Sequence, residues 1–132
     1  MADCRRLLES IKRVVRLFKL PPNGYVAVFG SVAEERCTPL SDVDLVVKGL
    51  DAVEAGRLAE AVEDATGKRV EVVMVERSSL PLLYEALARS IFIDGDYWAY
   101  VEDKWKTTLE WLDYAEAYKK MHKAYRHRIL DR

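Results

Sequence analysis

The sequence predicts an α+β fold, a small mixed β-sheet flanked by helices and followed by a long C-terminal helix. Three observations carry that expectation. Short runs rich in β-branched residues at Tyr25–Phe29, Val43–Val47 and Arg69–Val75 have the length and composition of strands. The segments around them repeat apolar residues at the three-and-four spacing of a helix face. From Asp96 onward the chain has neither proline nor glycine to interrupt a helix. Helices and strands in this order make a sheet covered by helices rather than a bundle or a sandwich.

Leu7, Leu8, Ile11, Val14, Val15 and Phe18 recur on one helical face and predict a helix over Asp3 to Leu20. Pro21-Pro22-Asn23-Gly24 ends it, because two prolines cannot continue the backbone ladder and Asn-Gly favours a turn. The Tyr25–Phe29 strand follows, bounded by glycines. Gly30 to Ser41 has no long period and contains Pro39, which leaves room for a short helix at Ser31 to Arg36 and then a loop. After the Val43–Val47 strand, Leu50, Val53, Leu58, Ala61 and Val62 support a helix over Asp51 to Thr66, with Asp51 placed to cap its start and Gly67 its end. Arg69–Val75 is the third strand, and Ser79 to Ser90 a helix with Pro81 in its first turn. Ile91–Ile93 adds a short edge strand before Asp94-Gly95 turns the chain into a helix from Asp96 to about Ile129. The expected division is a core over residues 1–95 and a helix over 96–132 that packs on it and offers an interface.

At 132 residues the chain is of a size for one hydrophobic core. Half its residues are apolar and a third charged, with a net charge of −1, the composition of a folded globular protein. No apolar run approaches the roughly 20 residues of a membrane span, so no membrane partner and a cytoplasmic location are expected. Cys4 and Cys37 are too few for a disulfide framework and lack zinc-ligand spacing, so two reduced thiols are expected. His122 and His127, five apart, do not share a helical face and receive no metal role. Basic residues outnumber acids six to two over Met1–Leu20 and eight to four over Lys104–Arg132, leaving an acidic middle suited to collecting cations. The absence of Gln, with a single Asn, is a bias seen in heat-adapted proteins.

The chemistry concentrates between Gly30 and Val47. Gly30-Ser31 is followed, ten residues on, by Asp42-Val43-Asp44 at the start of a strand. Side chains two apart on a strand point the same way, so Asp42 and Asp44 project together while Val43 faces the core. Two such charges about 5 Å apart repel by roughly 3 kcal/mol at an effective dielectric near 20, and the pair needs a cation or a shifted pKa. Hard oxygen ligands of this kind favour Mg²⁺ or Mn²⁺ shared with phosphates. Gly30 permits close backbone approach, and Ser31 offers a hydroxyl and an amide to a phosphate oxygen. Glu71 is the one acid within the third strand; if that strand lies beside Asp42 and Asp44, three carboxylates converge.

Gly-Ser, ten residues, Asp-x-Asp and a third acid on a later strand resemble the DNA polymerase beta-like nucleotidyltransferases. The small size resembles the minimal nucleotidyltransferases, often encoded beside a HEPN-domain partner as an antitoxin. The resemblance covers Tyr25 to about Gly95. It implies a catalytic set of Asp42, Asp44 and Glu71 holding two ions, Mg²⁺ or Mn²⁺, and a triphosphate seat at Gly30 and Ser31. It further implies transfer of a nucleoside monophosphate, AMP from ATP, to a hydroxyl of a protein or small acceptor, with pyrophosphate released. Where the family usually has aspartate in third place this chain has Glu71. Where minimal members often carry an Ala-Arg-Gly-like run it has Val32-Ala33-Glu34-Glu35-Arg36, with Arg36 standing in as the basic nucleotide-binding residue. The alternative reading is a weak or inactive antitoxin-like binding module of the same fold.

Trp111, Tyr114, Tyr118, Met121 and Tyr125 form one stripe of the last helix, and Trp98, Val101, Trp105 and Leu112 a neighbouring one. A helix of about 30 residues is about 45 Å long, more than this domain can cover, so the distal aromatic stripe is expected to meet a second copy or a partner protein. The basic ends have the charge for nucleic acid but no order of aromatics suited to stacking bases along a strand, which makes it the least favoured partner.

Overall fold

A computed structural model of the chain describes residues 3–130, apart from the side chains of His127, Ile129 and Leu130. The elements run α1 (Cys4–Val15), β1 (Tyr25–Phe29), β2 (Val43–Lys48), α2 (Ala52–Thr66), β3 (Val70–Met74), α3 (Leu80–Ala88), β4 (Ile91–Gly95) and α4 (Tyr97–Leu130). The four strands make one mixed sheet in the order β3-β2-β1-β4. β1 pairs antiparallel with β2 and β4, and β2 pairs parallel with β3. A parallel neighbour needs a crossover, and α2 supplies it. Its start is fixed by a capping box in which the Asp51 carboxylate accepts the Glu54 N–H and the Glu54 side chain accepts the Asp51 N–H.

Strand alternation sorts the core into two layers. Val26, Val28, Val43, Leu45 and Val47 face one side and are buried with Ile11 and Val15 of α1 and Leu58 and Val62 of α2. Tyr25, Ala27 and Val46 face the other, buried with Ala86 and Leu87 of α3 and Tyr100 of α4. β1 is therefore apolar on both faces and carries no alternation, whereas β2 interrupts its buried run at Asp44. Tyr25 is fully buried, and its hydroxyl donates to Asp103 Oδ2 at 2.9 Å, an oxygen that also accepts from Lys48 Nζ at 2.8 Å. Burial first, and then the Asp103 carboxylate, push the Tyr25 hydroxyl far above its ordinary pKa and keep it a donor. This contact ties α4 to the two central strands.

Several expectations require correction. The first helix stops at Val15 rather than Leu20, because Leu17 and Phe18 donate to the carbonyls three residues back and tighten the chain so that Phe18 packs on the core. Ser31–Arg36 forms turns and no helix; Glu35 takes the left-handed conformation, φ 57°, which breaks any helical run. The two cysteines are joined rather than reduced, since the start of α1 lies over the loop after β1 and brings Cys4 and Cys37 to a Cα separation of 5.6 Å. On α4 the stripe that meets the body is Tyr100, Asp103, Thr107 and Trp111, while Trp98, Trp105 and Leu112 are exposed. The polar members Asp103 and Thr107 hide this face from a purely apolar pattern. The edge strand also extends to Gly95, where a side chain would collide with the Gly24 carbonyl.

Tyr25→Phe is expected to cost about 1.5 kcal/mol in urea unfolding, the worth of a hydrogen bond to a charged acceptor. Breaking the Cys4–Cys37 link, which closes a loop of 33 residues in sequence separation, is expected to lower stability by about 3.7 kcal/mol on the chain-entropy account. Unfolding with and without reductant, paired with thiol alkylation and mass analysis, measures it.

Candidate functional site

β2 and β3 bring the acids together through register. In their parallel pairing Asp44 stands opposite Glu71, and the antiparallel partner of Asp44 on the other side is Phe29, the last residue of β1. Residues paired across a ladder point to the same face, so the Asp44 and Glu71 side chains rise together on the α3 and α4 side of the sheet. Asp42 lies just before β2 and by strand parity shares that side. Gly30 follows Phe29 at φ 72°, and a Cβ there would overlap the Asp44 carboxylate. The glycine therefore answers both a left-handed turn and a close approach.

Asp44 is half-buried, and its carboxyl is pushed above the usual carboxylate range. Burial is the largest cause, followed by the negative charges of Glu71, Asp42 and Glu85. The electrostatics thus record the convergence that the register implies. Among the described residues, no three His, Cys, Asp or Glu side chains are drawn close enough to form a ready-made metal cage. The donor chemistry nevertheless fits a hard divalent cation: the acids are all carboxylates, they share one face, and a cation would offset both the burial and the neighbouring negative charges that disfavour the ionised form of Asp44.

Above these acids lies a cavity of about 750 Å³, lined by Gly30, Glu34, Arg36, Asp44, Glu71, Glu85, Arg89 and the aromatic pair Tyr84 and Trp111. Four of the six residues singled out by sequence, Gly30, Arg36, Asp44 and Glu71, line it; Ser31 and Asp42 do not. A hollow of similar size near the start of α1, lined by Asp3, Arg5, Arg6 and Glu35 among others, includes none of the six.

α3 and α4 wall the cavity with residues that sequence reasoning did not place there. The Tyr84 and Trp111 rings stack with centroids 5.2 Å apart and planes 16° off parallel. Glu85 and Arg89 are four apart on α3, which puts them on one helical face, but nothing local shows that this face looks onto β2 and β3. Glu34 is held by two guanidinium groups: Arg36 Nη2 donates to Oε2 at 2.8 Å and Arg89 Nη1 to Oε1 at 3.1 Å. These two partners hold its carboxyl below the usual range.

Comparison with known proteins fits this geometry. Polymerase beta nucleotidyltransferases match residues 17–97, a span that contains β1 to β4 and every acid of the site. The chain belongs to that family. The fold agrees across nearly its whole length with a chain of a toxin–antitoxin structure with AMP-PNP, at TM-score 0.69 and 18% identity over 89% of this chain and 96% of the other. It is similarly close to a chain of the tri-AMPylated Shewanella oneidensis HEPN toxin in complex with MNT antitoxin, at TM-score 0.65 and 16% identity, covering 89% and 97%. A structure assigned as a minimal nucleotidyltransferase is 27% identical over 68% of this chain and 95% of the other, with TM-score 0.56. No curated protein matches the sequence.

Family membership thus places the mixed sheet, the acids and the cavity within a nucleotidyltransferase fold. Because the folded-state pKa of Asp44 lies above its ordinary value, the native chain binds more protons than the unfolded one between those values, and metal-free stability falls as pH rises through that window. Asp44→Asn is expected to remove this dependence and to raise the melting temperature at pH 7 by roughly 2–5 °C without metal. Added Mg²⁺ should stabilise the unmodified chain more than the variant, and thermal melts across pH with and without the ion decide it.

Proposed function

We propose that the chain is a divalent-metal-dependent nucleotidyltransferase that moves a nucleoside monophosphate, AMP from ATP, to a hydroxyl of a protein or small acceptor. The observation that carries this reading is the pairing of Asp44 with Glu71 on parallel strands, beside Gly30 and under a cavity of a volume suited to a nucleotide. Asp42, Asp44 and Glu71 are the residues that would hold Mg²⁺ or Mn²⁺, two ions in the reading proposed. Such an ion neutralises the carboxylates and the triphosphate and polarises the phosphoryl oxygens. The extra methylene of Glu71 is accommodated because its side chain is exposed at the outer strand of the sheet and is free to adjust its reach.

The chain's own groups then position and polarise. Gly30 lets the triphosphate approach the backbone, and Ser31 and Arg36 donate to its oxygens. The acceptor hydroxyl oxygen forms a bond to the α-phosphorus as its proton passes to a carboxylate of the site and the bond from that phosphorus to the bridging oxygen breaks, and pyrophosphate leaves with the electron pair.

We further propose a division of labour in which residues 1–95 carry the chemistry and the helix over 96–132 serves as an interface. Tyr114, Tyr118 and Met121 are more than half exposed on α4, beyond the body of the domain, as a partner surface requires. A HEPN-domain protein is the favoured occupant, because the similar folds come from toxin–antitoxin structures; a second copy through Trp111, Tyr114, Tyr118 and Met121 is the competing one. An antitoxin-like module that binds without turnover is the second reading, favoured by Glu34, whose carboxylate occupies the two arginines at the cavity.

Titration calorimetry of a non-hydrolysable ATP analogue with Mg²⁺ is expected to show metal-dependent binding that Asp42→Asn/Asp44→Asn abolishes. No binding by either protein would reject the catalytic reading in favour of the binding module. With a HEPN partner present, AMP transfer lost in the double variant while partner binding persists would separate chemistry from docking.

A further inference from the structure

Among the described residues, Arg36 and Arg89 are the only basic ones lining the cavity, and both are engaged by the same carboxylate. Each Glu34 oxygen takes one guanidinium, at 2.8 and 3.1 Å, so the two arginines are spread across an anion whose oxygens are separated much as those of a phosphate are. The anchored member of this trio is the acid. Glu34 is 23% exposed, whereas the Arg36 and Arg89 side chains are 70% and 80% exposed and reach it from solvent. Glu35, in its left-handed conformation, makes the bend that returns Arg36 toward Glu34. Arg89 comes from the far wall, at the C-terminal end of α3, 55 residues away in sequence.

We infer that Arg36 and Arg89 form a phosphate-binding pair for the outer phosphates of a nucleoside triphosphate, and that Glu34 is a built-in competitor that must release them. Exposed ion pairs of this kind are weak and salt-screened, so a polyphosphate carrying several charges can displace a single carboxylate. Every polyanion that takes the pair must break the same contact, so the competitor lowers all their affinities by one common factor, and those with fewer phosphates, which return less to the arginines, remain the weakest. This rests on the nucleotidyltransferase reading for its biological ligand, but the arginine pair is testable without it.

The probe is inorganic tripolyphosphate in EDTA at low ionic strength, titrated by calorimetry into the unmodified chain, Glu34→Gln and Glu34→Gln/Arg89→Ala. Glu34→Gln is expected to bind about tenfold more tightly than the unmodified chain, and the double variant to lose that gain. Equal affinity of Glu34→Gln and the unmodified chain, no binding by any of the three, or a gain that survives loss of Arg89 would overturn the proposal. Since neither metal nor nucleoside is present, failure here is distinct from failure of the Mg²⁺-dependent ATP-analogue titration. A tripolyphosphate gain without metal-dependent nucleotide binding would uphold the arginine pair while rejecting the nucleotidyltransferase reading.

Discussion

The parallel pairing of β2 with β3 is the constraint on which the rest of the molecule turns. A parallel neighbour cannot be reached by a hairpin, so α2 must cross over one face, and its apolar side becomes the floor of one core layer. The same pairing sets Asp44 opposite Glu71 with both side chains on the remaining face. Burial, and after it the negative charges of Glu71, Asp42 and Glu85, hold the Asp44 carboxyl above the usual carboxylate range. A globular core gains nothing from such an arrangement; a cation or a phosphate-bound cation does.

The layering explains why the cavity opens where it does. With α1 and α2 occupying one face of the sheet, the other is left to α3 and α4, which cover Tyr25, Ala27 and Val46 but stop short of the Asp44 end of β2. The hydrogen bonds of Tyr25 and Lys48 to Asp103 fix α4 near its start, and Trp111, two turns further on, meets Tyr84 at the rim. The anchor that sets the angle of the helix is thus polar, and the same helix contributes the aromatic wall of the cavity. Beyond Trp111 the tyrosines of the helix, Tyr114, Tyr118 and Tyr125, are more than half exposed.

Charge is arranged around the cavity in a way that a list of motifs would not convey. The acids at its base favour a cation, and the cationic groups at its mouth are already shared by Glu34. The acidic Glu34-Glu35 pair, which departs from the run common in minimal nucleotidyltransferases, is consequently two different features. Glu34 is an ion-pair partner, and Glu35 is exposed in a left-handed bend. The Cys4–Cys37 link restrains the far end of this same loop against α1.

Periodicity made the strands, α2 and the long last helix legible because each depends on local spacing of apolar residues and on caps such as Asp51 and Gly67. The Asp42-Val43-Asp44 spacing likewise put Asp42 and Asp44 on one side of the sheet, since strand parity fixes which side chains share a face whatever the rest of the chain does. What the sequence could not decide were contacts between residues far apart along it: the neighbour of β2, the meeting of Cys4 with Cys37, the reach of Arg89 to Glu34, and the turn of α4 that puts Trp111 against Tyr84. Local patterns carry the direction in which a side chain points from its own element. Only the packing of whole layers, driven by burial of both faces of the sheet, determines what it then meets.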